Sequence, residues 1–256
     1  MSDLEVQPAA GGTPAAPGLT QLQRVTGVFS APSKTFEDIK RGNKSWWLPF
    51  VIMVLFGYVF FAAITMKVGW AQVAENAIHL NPKSEEKIAQ APPESRATAM
   101  KITQYSMEGG FAASPILILV VVALGSLVLW GTINFVFGGK ASFGSVFSVW
   151  MFAGLPGLIK TILGIVVIFT GGAPETFNIG NFAPTNIGSF LSVADTNAAL
   201  YKLATALDIT TIWTMVLMGI GLSIVAGVKR SSGYIAVFGW WAILTLLGVG
   251  WTAAMG

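Results

Sequence analysis

The sequence predicts an all-α integral membrane protein with five transmembrane helices, a short N-terminal interfacial helix and a small external helical cap. Two observations carry that expectation. Of 256 residues, 54% are hydrophobic and only 11% are charged, with a mean hydropathy of +0.68; a soluble chain of this length needs far more charge to cover its surface. In addition, apolar stretches at 46–66, 115–137, 146–171, 209–228 and 234–255 each reach the roughly 20 residues that a helix needs to cross about 30 Å of hydrocarbon.

The same composition excludes several function classes. The 15 Lys and Arg against 12 Asp and Glu are scattered and form no stripe that could follow a phosphate backbone, so nucleic acid is not an expected partner. With no Cys and one His, His79, there is no thiol nucleophile, disulfide, thiolate site or multi-histidine metal site. No P-loop, dinucleotide fingerprint or nucleophile elbow occurs. The expectation is a protein that is not an enzyme and uses no cofactor or metal.

Taken in order, residues 1–18 are rich in Pro, Ala and Gly and lack the cationic start and apolar centre of a secretory signal, which reads as a disordered tail. Residues 19–45 read as a cytoplasmic interfacial segment. Leu22, Val25, Val28 and Phe29 sit at helical spacing, Ala31-Pro32 interrupts, and Phe36 and Ile39 resume the pattern. Lys34, Lys40, Arg41 and Lys44 followed by Trp46 and Trp47 mark a cytoplasmic boundary with an aromatic belt. The membrane domain, 46–256, follows. Eight Lys and Arg fall on the N-terminal face against six on the other, five of the six in a long loop with five Glu. Cationic bias therefore predicts a cytoplasmic N-terminus and an external C-terminus in the inner (plasma) membrane. Externally, Pro82, Pro92 and Pro93 break the 67–114 segment, with a helix expected from Glu94 toward Met107. The 171–207 segment opens on Gly, Pro and Asn turns and closes with a short helix from Asp195 to Ala206.

Few polar residues interrupt the spans. Lys160 is the one charge inside them, and a cation near mid-span costs about 2.5 to 3.5 kcal/mol and often marks an ion or substrate path. With no second intramembrane charge to pair with it, structural accommodation is favoured, through the Pro156 break, freed carbonyls or snorkelling. Lys160→Leu is accordingly expected to fold. Asn134 is expected to bond across helices. Gly219, Ser223 and Gly227, spaced by four, form a stripe where another backbone can approach, with packing inside the monomer favoured over an oligomer contact; Gly125, Gly131 and Gly164 fit the same role. Asp208 with Thr210 and Thr211 reads as the cap of the fourth span. Glu85, Glu86 and Glu94 read as a solvated face neutralised by Lys83, Lys87 and Arg96, and His79 carries no metal role.

The stretch LDITTIWTMVLMGIGLSIVAGVKRSSG, 207–233, has an acidic start, a Trp-bearing span and a small basic loop, and it resembles the bacterial branch of the Yip family, named for interaction with Ypt-type GTPases. FSAPSKTFEDI (29–39), GGKASFGSVFSVWMFAGLPGLIK (138–160) and NFAPTNIGSFL (181–191) agree with that family in order, so the similarity covers 28–254. The resemblance implies a five-span protein of membrane organisation or trafficking. Its partners would be membrane lipids and further copies or other integral membrane proteins. The GTPase contact of the eukaryotic members is not carried over, because only residues 1–45 precede the first span. The expected function is a helper or subunit in membrane organisation, trafficking-like sorting or complex assembly, acting through helix contacts. The alternative is a transporter or channel subunit with a polar path near Pro156 and Lys160.

Overall fold

A computed structural model of the chain describes residues 18–171, 173–193 and 195–255, so the expected tail at 1–17 lies outside the described residues. From the N-terminus, α1 (Gln21–Ser30) and α2 (Pro32–Lys40) form a hairpin before the first span, α3 (Trp47–Lys67). Next come α4 (Trp70–His79), α5 (Pro82–Gln90) and α6 (Pro93–Ala112), then the second span, α7 (Ser114–Gly131), which ends in a π-helical turn, Thr132–Val136. The third span is split into α8 (Phe143–Ala153) and α9 (Gly157–Thr170); α10 (Ala198–Ala206), α11 (Ile209–Ala226) and α12 (Arg230–Met255) complete the chain. Among the described residues, five helices are long and apolar enough to cross a membrane, and the fold is the all-α membrane architecture that composition and span length predict.

Local chemistry sets the boundaries. Thr20 and Gln23 make a reciprocal capping box at the start of α1, satisfying two N–H groups that a helix start leaves open. The chain turns at Ala31 because Pro32 resists an α conformation in the residue before it, and α2 begins on that proline. Pro156, which has no N–H, falls in the α8–α9 break, where Gly157 N–H donates to Gly154 and Leu158 N–H to Leu155 in tight turns. At the end of α11, Gly227 takes φ 70°, a left-handed value suited to glycine.

The N-terminal segment departs from a helix lying on the interface. Two helices form, not one, and both face inward: Val28, Phe36 and Ile39 are fully buried in one cluster with Val149, Phe152 and Leu222 of α8 and α11. Each helix is short but carries an apolar stripe along one side, and that stripe packs on α8 and α11. On the opposite face, α4 packs Trp70 and Val73 over Phe60, Ile64 and Phe177. The cap is larger than expected, three helices between α3 and α7, and α6 runs on past Met107 to Ala112.

Side-chain contacts give a depth scale. The Trp46 ring meets Phe147 with centroids 5.1 Å apart, and Ser148 Oγ donates to the Lys44 carbonyl at 2.6 Å, so α3 begins level with Ser148. Gly221 shares that level, since a Cβ there would stand 2.5 Å from Val149. The helical rise then places Lys160 and Asp208 about 18–20 Å above it, while α3 extends about 31 Å. Both residues therefore lie short of the level that the far end of α3 reaches, and the segment before α11 runs back along α9 to meet them.

Candidate functional site

The polar centre of the molecule is built where that segment meets α9. Lys160 Nζ donates to Asp208 Oδ2 at 2.9 Å, and Thr185 Oγ1 donates to the same oxygen at 2.6 Å. Asp208 Oδ1 accepts from Thr210 N–H at 2.9 Å, Thr210 Oγ1 at 2.6 Å and Thr211 N–H at 3.1 Å. The carboxylate is thus the cap of α11 and the counter-ion of Lys160 together. Its 2% exposure makes both roles necessary, because a buried charge needs a partner and a full set of donors. The Phe182 ring lies 5.5 Å from Lys160 Nζ, a cation–π distance.

The segment that delivers Thr185 is itself held by bonds. Ile209 N–H donates to the Thr185 carbonyl at 2.9 Å, and Asn181 Oδ1 accepts from Asn186 and Ser189. Gly164 lets it approach, since a Cβ there would stand 2.4 Å from the Phe182 ring. The inner side of this segment packs on α3, α9 and the start of α11, through Phe182 against Phe60 and Gly164 and through Thr185 against Asp208. Ile187, Phe190 and Leu200 on its outer side are exposed, as suits a surface facing lipid.

This geometry corrects one sequence expectation. Lys160 has an anionic partner, which comes from the residue just ahead of the fourth span and so escaped a search of the spans themselves. Pro156 does break the helix just before Lys160, but the ammonium is met by the Asp208 carboxylate. The expectation that Lys160→Leu folds undisturbed falls with it, because that change strands the carboxylate.

A second charge cluster, which sequence reasoning missed, pins the N-terminal hairpin. Arg24 is fully buried and donates from Nη1 to the Asn43 carbonyl and from Nη2 to the Ser45 carbonyl, each at 2.8 Å, with its guanidinium 4.8 Å from the Phe152 ring centroid. Asp38, also buried, lies 3.7 Å from Arg24 Nε and accepts from Leu19 N–H and Asn43 Nδ2. Burial pulls the Arg24 guanidinium below its ordinary value while Asp38 pulls the other way. A signal was present: Arg24 and Val28 share one face of α1, so a charge stands in the apolar stripe.

The remaining polar and small residues are placed as follows. Asn134 bonds within its own turn, accepting from Ala141 N–H at 2.8 Å and donating to the Ala141 carbonyl at 3.0 Å; this corrects the cross-helix expectation and ties the π-helical turn to the loop behind it. Gly219 and Ser223 face α12: a Cβ on Gly219 would stand 2.4 Å from the Tyr234 ring, and one on Gly233 would stand 2.2 Å from the Gly219 carbonyl. Gly227 leaves that stripe, being exposed and serving the turn. Gly219→Leu is expected to destabilise the monomer by about 1–3 kcal/mol or more through overpacking, read as a lower melting temperature in mild detergent. His79 is exposed and meets Glu85 at 2.8 Å, and among the described residues no group of three or more His, Cys, Asp or Glu converges as a metal site.

Comparison with known proteins gives two matches. The Yip1 domain model matches residues 26–252. The membrane protein YknW of Bacillus subtilis (strain 168) is 22% identical over 227 residues, which is 89% of each chain. No solved structure matches.

Proposed function

The chain belongs to the Yip1 domain family of membrane proteins, and from that premise we propose that it is a non-catalytic helper or subunit in membrane organisation, sorting or complex assembly. Its partners on this reading are lipids and either further copies or other integral membrane proteins. The observation that carries the reading is the saturated Asp208 carboxylate, which counts Lys160 among its donors. Both carboxylate oxygens are occupied by protein donors, which commits this ion pair to holding structure.

A transporter would need that centre to exchange partners during a cycle. The test is flux through vesicles containing only the purified chain. Helper function predicts proton, sodium and potassium leak equal to that of empty vesicles, and a leak abolished by Lys160→Arg would sink the reading.

The proposed orientation, with α1 and α2 in the cytoplasm of a bacterial cell and α4, α5 and α6 outside, rests on the exposed Lys34, Lys40, Arg41, Lys44, Lys140, Lys229 and Arg230 at one face. The native chain has no Cys, so single cysteines report without background. Impermeant maleimide added to intact cells should label Ser84→Cys and leave Ser232→Cys untouched; the reverse pattern contradicts the orientation.

A further inference from the structure

Three chain segments that each carry a lysine meet at the end of α11. Lys140 N–H donates to the Ala226 carbonyl at 3.0 Å, and Gly139 approaches so closely that a Cβ there would stand 2.9 Å from Ala226 Cβ. Lys40 Nζ lies 3.8 Å from the position of a Cβ on Gly227, and Lys229 follows two residues later. All three lysines are exposed.

The helix end does not account for them. Gly227 N–H already donates to Ile224 and Val228 N–H to Ser223, and Lys140 fills the Ala226 carbonyl with its backbone; the ammonium groups are therefore not needed as caps. Topology does not account for them either, because cationic bias acts on each loop separately and requires no meeting of loops. Among the described residues, no carboxylate lies within ion-pair distance of Lys40, Lys140 or Lys229. Asp38 on that face is occupied by Arg24, Leu19 and Asn43, and Glu37 is the other described acid there.

We infer that Lys40, Lys140 and Lys229 bind the phosphate-bearing headgroup of an anionic phospholipid in the leaflet on the N-terminal face. Depth fits that partner. Gly227 lies six residues beyond Gly221, about 9 Å outside the level where α3 begins, which is the headgroup zone. Apolar surface leads into the loop that carries Lys140: Phe135 and Val136 in the π-helical turn are 79% and 72% exposed, available to acyl chains. Charge and apolar surface together match a lipid, whereas a soluble phosphate would use the lysines alone.

The test uses the purified full chain in neutral detergent, offered phosphatidylglycerol or phosphatidylcholine of equal chain length, with bound lipid counted by native mass spectrometry. Wild type should retain phosphatidylglycerol at least about tenfold better. Lys40→Gln, Lys140→Gln and Lys229→Gln together should abolish the preference, while Lys83→Gln, Lys87→Gln and Lys101→Gln on the opposite face should preserve it. Should the first triple variant melt below wild type in neutral detergent, Lys229→Gln alone is read, with about fivefold loss expected. Equal retention of the two lipids by wild type overturns the inference. So does equal loss in both triple variants, which would mean diffuse charge. Displacement by inorganic phosphate as effective as by phosphatidylglycerol would also overturn it, by assigning the site to the free anion.

Discussion

Lys160→Leu is expected to lose about 3–5 kcal/mol of folding stability, the usual consequence of removing one member of a buried ion pair. The loss arises at Asp208, which keeps its Thr185, Thr210 and Thr211 donors but must hold a charge at 2% exposure without its cation. Adding Asp208→Asn should restore most of it. The amide oxygen still caps α11, and no charge is then left buried. Thermal unfolding in mild detergent should rank wild type highest, the double variant next and the single variant last. A single variant melting with wild type would mean that the 2.9 Å contact contributes nothing.

Arg24→Ala is expected to cost a similar amount, about 3–5 kcal/mol, but at the other end of the molecule. It removes the donors to the Asn43 and Ser45 carbonyls and leaves Asp38 buried beside them. The hairpin of α1 and α2 should then open while the five spans persist. A cysteine at Ser33 reads this directly: its maleimide labelling should accelerate in the Arg24→Ala background with little change in helical circular dichroism. Arg24→Lys should fall between, since an ammonium keeps the charge but cannot make the forked pair of bonds. Unchanged labelling would show that the apolar contacts of Val28, Phe36 and Ile39 hold the hairpin without it.

The spans were legible because lipid imposes length and apolarity on every one of them, and Pro156 announced a break through its backbone chemistry. What escaped the sequence was pairing across distance. Lys160 and Asp208 lie 48 residues apart, and the segment joining them turns back to α9 through Phe182 and Thr185, whose contacts no helical period marks. Arg24 and Asp38 escaped for a related reason, since a charge in a short amphipathic helix resembles an interfacial residue until a partner is placed beside it. The Gly219, Ser223, Gly227 spacing shows the opposite difficulty: one repeat of four held two residues for packing and one for a turn, and only Gly219 and Ser223 meet α12.

The central proposal is that this chain works by assembling with further copies or other integral membrane proteins, its Lys160–Asp208 pair being committed to its fold. Extraction from native membranes in a gentle detergent, with the mass of the intact particle measured by native mass spectrometry, tests it most directly. The account predicts a defined particle heavier than the 27.1 kDa chain, made of several copies or of this chain with other integral membrane proteins in fixed ratio. A lone chain carrying only lipid, extracted under conditions that keep other membrane complexes together, would contradict it.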